Sequence, residues 1–140
     1  MTGGQILVPM LGMMVLTAIV WIVLYARRIP AMHRAQRPVQ EYTTPEKGAL
    51  RLPDEVNYPA NNFKNLFELP VLFYALCLYL HVTGTAGQPD IVAAWVFLVF
   101  RIAHSTIHCT VNIVMARFVT YAIAALALWF MVARAVWGVL

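Results

Sequence analysis

Acidic residues and cysteine are scarce in this chain. Six Asp and Glu stand against ten Lys and Arg, and of the six only Glu68 lies within an apolar stretch. The two cysteines, Cys77 and Cys109, fall inside apolar runs and read as small buried side chains, which argues against a disulfide framework. No internal repeat and no low-complexity tract is present. The basic residues form no recognisable nucleic-acid-binding motif, so the formal charge of +4 predicts no nucleic-acid partner. Residues 1–5 carry no positive charge, and the apolar run that follows exceeds the ~7–15 residues of a signal-peptide core. The basic pair Arg27–Arg28 comes after that run, so the segment reads as a retained membrane helix.

What the chain has in abundance is apolar surface, 61% of its residues, and it is bunched. Segments at about 6–25, 63–82, 91–115 and 118–139 are each long enough to cross a hydrocarbon core of ~30 Å at ~1.5 Å per residue. The expected fold is a single-domain all-α membrane protein, residues 1–140, built as a four-transmembrane-helix bundle. Too little chain is left over for a soluble domain. The connection 26–62 holds Arg27, Arg28, Arg34, Arg37, Lys47 and Arg51, whereas 83–90 holds no Lys or Arg. The positive-inside rule then places the long loop in the cytoplasm, near anionic lipid head groups, and both termini outside. Prolines at 30, 38, 45, 53 and 59 predict that this loop is an irregular cap with at most a short amphipathic turn.

Chemistry concentrates in the third segment. Arg101, His104, His108 and Asn112 step by three, four and four, which puts them on one face of a helix. A central arginine costs about 2.5–3.5 kcal/mol to insert and needs a partner or a wet cavity. Glu68 is the best partner. Asn61, Asn65 and Glu68 share a face of the second segment, where Pro70 marks either a kink or the start of the regular helix. Chain direction then brings these groups and Arg117 together in the cytoplasmic half of the bundle. Arg134 stands apart as an interfacial anchor near the outer surface. Structural readings are an Arg101–Glu68 ion pair, a helix–helix hydrogen bond at His104 and a snorkelling Arg117. His104 and His108, four apart, have the spacing to share a metal. Further ligands and a haem-attachment motif are missing, so no metal is expected.

The stretch ANNFKNLFELP at 60–70 resembles the N-x-x-E segment that opens the second helix of the MAPEG family, the membrane-associated proteins in eicosanoid and glutathione metabolism. Arg101-x-x-His104 resembles that family's third helix, and Arg117 with Tyr121 the start of its fourth. The likeness spans nearly the whole chain and looks like the bacterial branch. It implies homotrimers of four-helix subunits, in the bacterial inner membrane, that bind glutathione between neighbouring subunits in the cytoplasmic half. It implies that Asn65 and Glu68 contact the tripeptide, Glu68 through its ammonium group. Arg101 and His104 would line the floor, with Asn112, Tyr121 and Lys64 completing the binding set. Arg117, with His108, would act near the sulfur. A thiol of pKa ~8.5 is a poor nucleophile until a cation stabilises the thiolate, and a low-dielectric site strengthens that effect.

The chain departs from the family pattern at two positions. Asn61 stands where active members carry an arginine, and His108 where they often carry a tyrosine. The implied function is a glutathione-dependent transferase or peroxidase acting on a lipophilic small molecule from the bilayer. The alternative is a non-catalytic binding or scaffold protein that keeps the bundle. A transporter or channel role is disfavoured by four helices per subunit without an internal repeat.

Overall fold

A computed structural model describes residues 4–140. Six α-helices follow in order: α1 Leu7–Ala35, α2 Pro45–Arg51, α3 Asp54–Asn65, α4 Leu69–Thr83, α5 Gln88–Cys109 and α6 Val114–Trp137, with a 3₁₀ turn Val39–Tyr42 before α2. Four stretches are long and apolar enough to cross a membrane: Leu7–Ala35, Asp54–Thr83, Gln88–Cys109 and Val114–Trp137. The second of these is α3 and α4 in series, broken at Leu66–Glu68.

The core is written in helical spacing. Met10, Met13, Leu16, Val20 and Leu24 on α1 are buried, as are Phe73, Cys77 and Leu80 on α4 and Ala124, Leu128 and Met131 on α6. Each set recurs every three or four residues, so one stripe of each helix faces inward. Phe73 stacks on Phe97 of α5 at 4.3 Å between ring centroids, fixing α4 against α5. Gly12 lets α1 close on α5, since a Cβ there would stand 2.7 Å from Leu98 Cδ2. The outward faces carry Val15, Ile19, Ile22, Leu72, Val99, Leu126 and Phe130, all exposed, as a lipid-facing surface requires.

Two expectations are corrected and one pair of alternatives is resolved. The irregular cap is largely helical: α1 runs ten residues beyond 25, and α2 and α3 occupy much of the rest. Pro30 and Pro59 both sit inside helices. Each removes one N–H, leaving the carbonyls of Ala26 and Glu55 without their helical donor. For Glu55 a replacement exists, because Arg27 Nη1 donates to its carbonyl at 3.3 Å. At Pro70 the alternatives resolve in favour of a fresh start: α4 begins at Leu69 with the proline in its first turn, where no N–H is needed. Finally, α5 ends at Cys109, six residues short of 115. Asn112 is therefore not on the α5 face; it turns the chain with φ 49° in the left-handed region that asparagine tolerates.

At the opposite end, Arg134 is more than an interfacial anchor. Its Nε donates to Asp90 Oδ1 at 2.9 Å, and Asp90 is buried. The Asp90 carboxylate also accepts from the Gly87 N–H at 2.9 Å, closing the N-terminus of α5. One carboxylate thus ties the start of α5 to the end of α6.

Candidate functional site

The inward face of α5 carries the polar cluster. Arg101 is fully buried, and His104, Ser105 and His108 are buried beside it. Residues 101, 104, 105 and 108 follow the same three-and-four spacing as the apolar core above them, Ala94, Phe97 and Leu98. The stripe changes from apolar to polar partway along one helix. That change creates the site.

The break between α3 and α4 supplies the second wall. Arg101 Nη2 donates to Asn65 Oδ1 at 2.6 Å, and Asn65 Nδ2 donates to Glu68 Oε2 at 2.9 Å. Asn65 therefore relays between the cation and the carboxylate. The expected direct Arg101–Glu68 ion pair is not among the ion pairs of the described residues. The physical reason is the break: with Glu68 at the cap of α4, its carboxylate points to an exposed position while the amide one turn earlier reaches inward.

The third wall is the entrance to α6. His104 Nδ1 lies 2.9 Å from the Arg117 carbonyl. A carbonyl only accepts, so Nδ1 carries the proton and a neutral His104 offers Nε2 as an acceptor. Arg117 Nη1 donates to Asn112 Oδ1 at 2.6 Å. Residue 117 is thus held at its backbone by α5 and at its guanidinium by the turn. Tyr121 places its ring 5.9 Å from Arg101 Cζ and 5.9 Å from the His104 ring, while the two histidines meet edge to face at 5.6 Å.

Four nitrogens of this cluster are buried without a hydrogen-bond partner: Arg101 Nε and Nη1, His104 Nε2 and His108 Nδ1. Buried polar groups in a membrane span are ordinarily satisfied, since each orphan costs several kcal/mol in hydrocarbon. Here donors and an acceptor converge between α5 and α6, beside an exposed carboxylate. The arrangement suits a ligand that is zwitterionic, with an ammonium for Glu68 and anionic or thiol groups for the arginine and histidine side.

The structure brings together most of the residues anticipated from sequence: Asn65, Glu68, Arg101, His104, His108 and Tyr121, with Arg117 and Asn112 at the rim. Lys64 does not join them. It lines a separate crevice with Arg28 and Asn61, between α1, α2 and α3. Two residues outside the sequence-predicted set also hold the site together. Arg27 Nη1 donates to the Cys109 carbonyl at 2.6 Å, closing the end of α5 from α1. Asn62, fully buried, accepts from Ser105 Oγ at 3.3 Å and donates toward Cys109 Sγ at 3.6 Å. Asn62 sits three residues before Asn65, a spacing that could have flagged it. Arg27 resembled any loop-flanking arginine and gave no such signal.

Fold and site together define a multi-pass helical membrane protein with a polar cluster buried near one end of its bundle. The MAPEG family model matches residues 6–137, and the chain belongs to that family. No curated protein and no solved structure gives a significant match.

Proposed function

We propose that the protein is a glutathione-dependent transferase or peroxidase acting on a lipophilic acceptor. Family membership supports the general class, since MAPEG proteins generally use glutathione. The observation that carries the reading is the set of four unpartnered nitrogens on Arg101, His104 and His108, set against the Asn65–Glu68 pair. In this reading Glu68 takes the glutathione ammonium, while Arg101 and Asn65 hold a carboxylate. The Arg117 cation favours the thiolate, with His108 donating to sulfur. The thiolate then attacks an electrophilic carbon, forming C–S and expelling a leaving group. With a hydroperoxide it attacks the terminal oxygen, S–O forms as O–O breaks, and an alcohol leaves after taking up a proton; a second glutathione then attacks the resulting sulfenic acid, forming the disulfide and releasing water. The site would lie on the cytoplasmic side of a bacterial cell membrane, between subunits of a homotrimer.

The test is turnover of a lipophilic electrophile by purified protein. Arg117→Ala is expected to lower it roughly ten-fold or more at unchanged oligomer content. Unchanged turnover removes Arg117 as the thiolate partner. A binding or scaffold role is the second reading, favoured by one observation: the Arg117 guanidinium already has a partner in Asn112. Glutathione binding without any turnover would support it.

A further inference from the structure

The crevice that takes Lys64 away from the buried cluster has a composition of its own. It has a volume of about 340 Å³ and is bounded by Arg28, Lys64, Asn57 and Asn61 on its polar side and by Leu24, Tyr25 and Phe63 on its apolar side. Among the described residues, Arg28 and Lys64 enter no ion pair, so both cations face the crevice uncompensated by any bonded carboxylate. Glu46 also lines it, leaving two cations against one carboxylate. Its walls are fixed, since Asn57 Nδ2 donates to the Ala49 carbonyl at 2.9 Å and ties α3 to α2.

The residues beside the crevice are of the kinds that gather at a membrane boundary. Trp21, Tyr25 and Arg28 step by four and three, so they share one face of α1. Trp21 and Tyr25 are exposed and pack edge to face at 5.2 Å. Ile22, beside them, is exposed as well. An exposed apolar and aromatic strip that ends in two free cations matches a phospholipid in outline: acyl chains along α1, phosphate at Arg28 and Lys64.

We infer that this crevice binds the phosphate head group of an acidic phospholipid. The lipid would anchor α2 and the start of α3 to α1, the elements that cap the loop end of the bundle. The inference is independent of any thiol chemistry at the buried cluster.

The test uses the full-length protein in nanodiscs of mixed phosphatidylglycerol and phosphatidylcholine, with retained lipid counted by native mass spectrometry. Wild type is expected to retain phosphatidylglycerol in preference. Arg28→Gln/Lys64→Gln should lower that preference roughly thirty-fold, as two lost cations imply. Arg34→Gln/Lys47→Gln removes the same formal charge outside the crevice and should leave it intact, and Lys64→Arg should preserve it. Equal losses in both double variants would show diffuse surface attraction and overturn the site. So would retained preference in the crevice variant. Displacement of the lipid by millimolar glycerol phosphate would overturn the choice of a lipid in favour of a soluble phosphate.

Discussion

At the scale of single residues, Arg101 decides how the cluster is understood. A buried guanidinium held by one strong hydrogen bond is a poor stabiliser, because desolvation outweighs a single partner. Arg101→Met is therefore expected to change the melting temperature of the ligand-free protein little, by less than about 1 kcal/mol equivalent. Removing one member of a tight structural ion pair would instead cost about 3–5 kcal/mol. Thermal unfolding in detergent separates the two. Asn112 makes a second test. At φ 49° it can be replaced by glycine with little strain, whereas Asn112→Val should cost about 1–2 kcal/mol. Asn112→Gly also releases the Arg117 guanidinium, so it should alter turnover more than stability. Equal melting of the two variants would contradict the turn assignment.

At the scale of elements, Arg27 joins three helices through two carbonyls, those of Glu55 and Cys109. One is freed by Pro59 and the other closes α5, so the arginine satisfies groups that the helices cannot satisfy themselves. Arg27→Met is expected to destabilise the protein by about 1–3 kcal/mol. It should also speed amide exchange at the start of α3 and the end of α5. A variant with unchanged exchange at both places would remove Arg27 as the latch. The prolines explain why the sequence of the cap resembles an irregular loop although it folds largely as helix. Five of them in 26–62 argue against helix one at a time. Yet Pro45 sits in a first turn, Pro59 has its lost bond replaced at Glu55, and only Pro30 interrupts a helix without a visible substitute.

At the scale of the whole molecule, the four spans were legible because hydrocarbon thickness sets their length and leaves little choice of composition. The polar stripe on α5 was legible for a related reason: charge in an apolar run stands out, and helical spacing gives its face. Pairing between elements was less legible. Whether Arg101 reaches Glu68 directly or through Asn65 depends on where the α3–α4 break falls, within a residue or two. The Asp90–Arg134 pair depends on how two helix ends meet, which spacing along one chain does not reveal. Burial of Asp90 predicts that Asp90→Asn loosens the join between α5 and α6, lowering the melting temperature. A melting temperature equal to wild type would make that ion pair incidental.

The cluster as a whole stands or falls on one ligand. Calorimetric titration of glutathione into the detergent-purified oligomer, for wild type, Glu68→Gln and Arg101→Met, tests it most directly. Binding in the micromolar to millimolar range, weakened in both variants, is the predicted result. A well-folded wild-type protein that takes up no glutathione would contradict the proposed site, and equal binding in all three would place the tripeptide elsewhere.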